Sequence, residues 1–330
     1  MMRFLRACDE ARIAYWVSTP KSPQGALVLL HGAASNHTRW SELCGTTALR
    51  EQWALLRPDL RGQGASLYRG RIGMSEWCAD LAALLDAEGL SGAVIAGHCL
   101  GANLALRFAA RFPARTAGVV LIEPMLPEAL AGTARWIRRL RPALFALVAL
   151  TRSFNALGLR RRRLDPLDLE ELDRETRAVI ARGPEGEGRL AKYASPLLDL
   201  RTTATGAYLQ ALLAVTEELP APNGLATRVL ALLSERSTFT DPAATKAFLE
   251  RLPDCEIVIV PARHWIPTEQ PQAMRAAIED WLRRRFPGGA PASRSRARGG
   301  GTSARGPRQD PRRAPSMGPA GRSLRVRAYP

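Results

Sequence analysis

Short apolar runs alternate with amphipathic stretches along the first 125 residues. "ALVLLHG" (Ala26–Gly32) is an unbroken apolar run closed by glycine, the pattern of a strand covered on both faces. "WALLRPDLRGQGAS" is a second run leading into a glycine-rich loop, "GAVIAG" a third, and "AGVVLIEP" (Ala117–Pro124) a fourth. Between them, "SEWCADLAALLDAEGL" and "GANLALRFAARFP" carry apolar residues at helical spacing; one ends near Gly89 and the other is stopped by Pro113. Strands joined through helices by short links predict an α/β fold with a doubly wound, mostly parallel sheet.

The pattern changes between residues 126 and 220. "PEALAGTARWIRRLRPALFALVALTRSFNALGL" and "TTATGAYLQALLAVTEEL" read as helix, with no convincing strand between them. Alternation then resumes with "TRVLALLS", "DPAATKAFLERLP", "CEIVIVP" and "QAMRAAIEDWLRRRFP". One sheet interrupted by a helical cap is therefore expected, with residues 1–125 and 221–287 as core and 126–220 as cap. Residues 288–330 are Gly, Pro, Ser, Ala and Arg; they offer too little apolar area to offset their ordering entropy, so a disordered basic tail is expected.

Charge sharpens this division. The net charge is +16, but residues 288–330 hold ten arginines and one aspartate, and "GLRRRRL" (Gly158–Leu164) adds four more arginines. The basicity belongs to a tail and a loop rather than to one face. Arginines without interleaved aromatics and without a nucleic-acid motif imply no specific nucleic-acid partner. The longest apolar stretch, "PALFALVAL" (Pro142–Leu150), is too short for a membrane span, and the N-terminus lacks a secretory pattern, so a cytoplasmic protein is expected. The composition says nothing about oligomeric state.

Five cysteines without a C-x-x-C pair argue against a disulfide framework or a metal site, and no cofactor motif is present. Cys8, Cys44, Cys78 and Cys255 read as small buried hydrophobes. Cys99 stands apart. It sits in Gly97-His98-Cys99-Leu100-Gly101, between a predicted strand and a predicted helix. Glycines two positions either side suit a sharp turn against neighbouring backbone, and the helix N-terminus favours a thiolate.

With these residues the chain resembles the α/β-hydrolase superfamily, over roughly residues 10 to 285. "LLHGAASNHTRW" is similar to the His-Gly loop after the third strand and "RPDLRGQGAS" to the Asp-x-Arg-Gly-x-Gly loop. "GHCLG" is similar to the nucleophile elbow, and "VPARHWIPTEQP" to the loop bearing the catalytic histidine. The resemblance implies Cys99 as nucleophile, His264 as general base, and the backbone N–H groups of Ala33 and Leu100 as oxyanion hole. His31, His37 and His98 are the other histidines; His31 and His98 occupy positions where structural histidines are usual, and His37 is open to a pocket-facing reading.

The usual place for the acid, the loop after "RVLALLS", falls on Ser237 here. Glu235 and Asp241 are off register, and Asp241 before Pro242 reads as a helix N-cap. Haloalkane-dehalogenase-like members carry the acid at the end of the strand after the nucleophile helix, which here is Glu123. The assignment is therefore Glu123, with Glu235 and Asp241 as alternatives. Carbon–halogen cleavage is excluded because it needs an aspartate nucleophile followed by tryptophan, where this chain has Cys99 and Leu100.

A Cys–His–acid set on this fold suits acyl transfer through an acyl-enzyme. The expected function is hydrolysis of a carboxylic ester or thioester of a small-molecule acyl substrate. An acyltransferase using the same intermediate, or a non-catalytic binding protein of hydrolase fold, are the alternatives. The cap segment "RPALFALVAL", flanked by arginines, reads either as an apolar acyl pocket with a basic mouth or as an ordinary helix with solvated arginines.

Overall fold

A computed structural model describes residues 1–161, 163–181, 195–290 and 323–328. Among them nine strands form one sheet: β1 (Met2–Arg6), β2 (Arg12–Ser18), β3 (Gly25–Leu30), β4 (Trp53–Pro58), β5 (Ala93–His98), β6 (Thr116–Ile122), β7 (Val229–Ser234), β8 (Asp254–Val260) and β9 (Ser323–Ala328). Their order is β1-β2-β4-β3-β5-β6-β7-β8-β9. β2 runs antiparallel to both its neighbours, and every pairing from β4 to β9 is parallel.

Helices α1 (Ser41–Thr46), α2 (Met74–Ala87) and α3 (Leu100–Arg111) alternate with the first strands. Between β6 and β7 lie α4 (Ala134–Arg139), α5 (Arg141–Ala156), α6 (Leu169–Ile180), α7 (Pro196–Thr202) and α8 (Thr205–Val215). After β7 come α9 (Pro242–Leu249), α10 (Ile266–Glu269) and α11 (Pro271–Arg285). The sheet divides two apolar layers, as the two-residue period of a strand requires. Val28 and Leu30 face Trp77 of α2 and Phe108 of α3, whereas Leu27 and Leu29 face the layer holding Trp40 and Trp281 of α11. β3, β5 and β7 are buried at every position, which is why their sequences are continuous apolar runs.

The fold departs from the sequence reading in particular places. The β1–β2 hairpin was not anticipated: four of the five β1 residues are exposed, so the segment lacks an apolar run. Cys8, in the hairpin turn, is exposed rather than a buried hydrophobe; Cys78 and Cys255 are buried, Cys44 half-buried, and all are free thiols. In the tail, the expectation of disorder falls for residues 291–322 and 329–330 outside the described residues. Gly289 and Ala290 still pack on the core: the Gly289 N–H donates to the Phe286 carbonyl at 2.9 Å and Ala290 is buried. Ser323–Ala328 forms β9 along β8. Backbone hydrogen bonding to an open edge needs no apolar side chains, and Arg327 lies 3.7 Å from Asp280 and 4.0 Å from Glu256.

Candidate active site

The turn between β5 and α3 lifts Cys99 to the carboxyl edge of the sheet. Its backbone is at φ +57°, ψ −119°, a sparsely populated region that costs of order 1–3 kcal/mol and persists only where neighbours enforce it. They do: the Cys99 N–H donates to the Ile122 carbonyl at 2.9 Å. A Cβ on Gly97 would lie 2.1 Å from the Gly101 carbonyl oxygen, and one on Gly101 2.4 Å from that of Leu30, so neither position admits a side chain. Leu100 is the first residue of α3, where a backbone N–H has no carbonyl one turn back in its own helix.

His264 follows β8 on a loop held from beneath by Glu269. The Glu269 carboxylate accepts hydrogen bonds from three successive backbone N–H groups, those of Arg263, His264 and Trp265, at 3.0–3.2 Å. Phe239 and Trp265 meet the buried imidazole edge-on, with centroids 4.8 and 5.5 Å away, and keep water from it. Burial alone would lower the His264 pKa. Hydrogen bonds to Cys99 and Glu123, together with their negative charge, outweigh it and raise the pKa to about 9.

Glu123 is the residue after β6 and also has a positive φ, +49°. Its N–H donates to the Leu232 carbonyl at 3.0 Å, tying it to β7. One carboxylate oxygen accepts from the Ser234 backbone N–H. The other accepts from the Ser237 hydroxyl at 2.7 Å and lies 3.2 Å from His264 Nδ1. A buried carboxylate is stable when its lone pairs are filled in this way. Ser237 therefore binds the carboxylate of Glu123 from the loop where the acid itself was sought. Glu235 is exposed, and Asp241 caps α9 by accepting from Ala243 and Ala244 N–H at 2.8 and 3.0 Å.

The remaining histidines do other things. His31 accepts from the Leu60 N–H at 2.9 Å through Nε2 and donates from Nδ1 to the Gly32 carbonyl at 2.8 Å. Both bonds need a neutral ring, and burial lowers its pKa to about 4. This clamps the loop bearing Gly32 and Ala33 against Cys99; a Cβ on Gly32 would lie 3.2 Å from that of Cys99. His98, which burial keeps neutral, donates from Nε2 to the His264 carbonyl at 3.1 Å. His37 stacks on Trp16 and bonds Asp59 at 3.0 Å; it does not line the pocket, against the reading that left it pocket-facing.

Cys99 and His264 lie in a pocket of about 390 Å³ whose walls are mostly apolar, with Ile137, Leu169, Leu198 and Leu212 contributed by the helices between β6 and β7. Ala33 is also in the wall. Three polar features escaped the sequence reading. Arg39 forms a buried ion pair with Asp173 of α6, 2.7 Å, and donates to Thr268 at 2.7 Å, joining the segment before α1 to α6 and α10. Asp199 of α7 lines the pocket; burial raises its carboxyl to about 6, against the effect of a hydrogen bond with Tyr208. The Ser35 hydroxyl, buried two residues after Ala33, has no hydrogen-bond partner among the described residues. Ser35 and Arg39 fall within the His-Gly loop segment, but the pattern gives neither a role there, and all three act only through tertiary contact. Among the described residues no group of His, Cys, Asp or Glu is placed to hold a metal ion.

Residues 27–277 match the model of the alpha/beta hydrolase family. Lipase LipV of Mycobacterium tuberculosis is 26% identical over 280 residues, 80% of this chain and 95% of that one. An uncharacterized protein of the same species is 29% identical over 98 residues, 29% of this chain and 28% of its own length. The chain thus spans under a third of the length of some curated relatives it matches. Two solved structures share the fold. A thermophilic esterase from Thermogutta terrifontis has a TM-score of 0.59 at 21% identity, covering 87% of this chain and 99% of that one. The enol-lactonase from Burkholderia xenovorans has 0.60 at 17%, covering 85% and 99%.

Proposed function

The chain belongs to the alpha/beta hydrolase family, and from that premise we propose that it hydrolyses a carboxylic ester or thioester through Cys99, His264 and Glu123. The observation that carries the reading is the placement of one buried imidazole between a carboxylate 3.2 Å away and the Cys99 thiol, at the floor of an apolar pocket. With its pKa raised, His264 is a base strong enough to take the Cys99 thiol proton as attack begins.

In the proposed reaction Cys99 Sγ attacks the acyl carbonyl carbon, and the carbonyl oxygen takes the negative charge toward the N–H groups of Ala33 and Leu100. Each such donor contributes about 3–4 kcal/mol when aimed at that oxygen. Collapse breaks the bond to the leaving group, which takes its proton from His264. The neutral imidazole then removes a proton from water, which attacks the acyl-cysteine and frees the acid and the thiol. Glu123 fixes the tautomer of His264 and stabilises its charged form. In this reading residues 1–125 and 221–287 form the catalytic core and 126–220 a cap that supplies the acyl-binding wall. The apolar wall favours an apolar acyl chain.

A panel of p-nitrophenyl esters and acyl thioesters of increasing chain length tests this, with Cys99→Ala as control. Turnover that rises with chain length and vanishes in Cys99→Ala is expected. A parent chain that turns over none of them, or a Cys99→Ala chain that is fully active, refutes the reading. Release of free acid, as opposed to transfer to an added alcohol or thiol, separates hydrolysis from acyl transfer.

A further inference from the structure

We propose that the outer face of α4 and α5 docks on an anionic lipid bilayer. α5 packs against the molecule on one side and exposes an apolar stripe on another. Its inner side carries Val148, Thr151 and Asn155 and packs on α8; a Cβ on Gly206 of α8 would lie 3.2 Å from Thr151 Cγ2. A second side, about a third of a turn round, carries Leu147, Leu150 and Phe154 with Leu157 at the C-cap, spaced three, four and three residues apart, so they form one stripe. These side chains are 46%, 50%, 45% and 74% exposed, and Trp136 and Leu140 just before them 48% and 54%. Contiguous exposed apolar surface of this kind marks an interaction site.

Charge selects the occupant. From Ala129 to Leu164 the chain has nine arginines and no aspartate or glutamate. Arg135 and Arg139 flank the Trp136 ring, with guanidinium carbons 5.9 and 5.0 Å from its centroid. Arg160, Arg161 and Arg163 lie just beyond the C-terminal end of α5, next to Leu157, whereas Arg152 lies on the side of α5 away from the stripe. Among the described residues Arg135, Arg139 and Arg152 form no ion pair. An apolar stripe rimmed by arginine and tryptophan matches the boundary between lipid phosphates and acyl chains, where aliphatic tips bury and guanidinium groups reach head groups. A second copy of this chain would bring the same arginines to the same stripe and be repelled. A nucleic acid offers phosphates but no apolar phase for the leucines. Thr133, Ala134 and Ile137, within a turn of Trp136, line the active-site pocket, so docking sets the pocket beside the bilayer.

The test is flotation of the full chain with phosphatidylglycerol–phosphatidylcholine vesicles and with pure phosphatidylcholine vesicles, at low and high salt. Binding to the anionic vesicles, weakened by salt, is expected. The triple variant Leu147→Glu, Leu150→Glu, Phe154→Glu should bind about tenfold more weakly or worse. Its circular dichroism and its turnover of a soluble ester should match the parent, because none of the three lines the pocket. If that variant does not fold, Arg135→Gln, Arg139→Gln, Arg160→Gln provides the second arm and should lose the preference for anionic lipid. The proposal is overturned if the parent does not float with anionic vesicles. It is overturned equally if a folded variant of either kind binds like the parent, since the tail arginines would then carry the binding. A parent dimer in sedimentation velocity that the glutamate variant makes monomeric, without vesicle binding, assigns the face to self-association and also overturns it. Flotation needs no turnover, so its failure is distinct from failure of the proposed reaction.

Discussion

Glu123 gathers three donors into one carboxylate: the Ser234 N–H, the Ser237 hydroxyl and His264 Nδ1–H. Glu123→Gln replaces one acceptor oxygen by an amide that must itself donate, so it leaves a mismatched contact and an unsupported imidazole. Turnover should fall by about 10³–10⁴-fold with little change in KM, whereas Glu235→Gln and Asp241→Asn act mildly. Normal kinetics in Glu123→Gln, with either of the other two variants dead, sinks the assignment. His264 gives a second prediction, with its sign fixed by the upward shift. Its pKa rises from 6.5 to about 9 on folding, so its contribution to stability is complete below about pH 6.5 and is lost as pH rises through about 9. Proton NMR titration should find the imidazole at the high value in the parent and lower in Cys99→Ala, where one hydrogen bond and one charge are gone. An unchanged titration in Cys99→Ala would show that the two side chains are not coupled. The residues at this scale differed in legibility. Cys99 and His264 stand in short motifs and Glu123 at the end of an apolar run, whereas Ser237 and Glu269 act through partners that a linear reading does not place beside them.

At the scale of elements, the ion pair between Arg39 and Asp173 holds α6 to the core, and both side chains are buried. Removing one partner strands the other charge. Asp173→Ala should lower unfolding free energy by about 3–5 kcal/mol in urea, and the apolar pair Arg39→Met, Asp173→Leu should recover much of the loss. A single variant as stable as the parent would mean that water or a neighbour replaces the contact. Which elements the sequence announced follows from burial. β3, β5, β6 and β7 are nearly or wholly buried and read as apolar runs. β1 is mostly exposed and four of the six β9 residues are arginine, serine or alanine, so both are strands by virtue of a neighbouring edge rather than of their own pattern. α6 was not singled out, since only Leu169, Asp173 and Thr176 of its residues are buried and two of them are polar.

For the whole molecule, the proposed division predicts what truncation does. A chain ending at Ala290 keeps the packed Gly289 and loses β9, which leaves the β8 edge open without touching Cys99, His264 or Glu123. Ester turnover should match the full chain, while light scattering on heating should begin earlier because an unpaired edge strand invites pairing with other chains. Lost turnover in a chain that still folds would place residues 291–330 in the site. The sheet order also spaces the proposed catalytic residues unevenly along the polypeptide. Cys99 and Glu123 come from adjacent strands early in the chain, but His264 lies 165 residues beyond the cysteine. At a synthesis rate of about 5–20 residues per second, the thiol leaves the ribosome roughly 10–30 s before the imidazole proposed to activate it. In the proposed reaction the cysteine therefore gains its base only when the last third of the protein folds back.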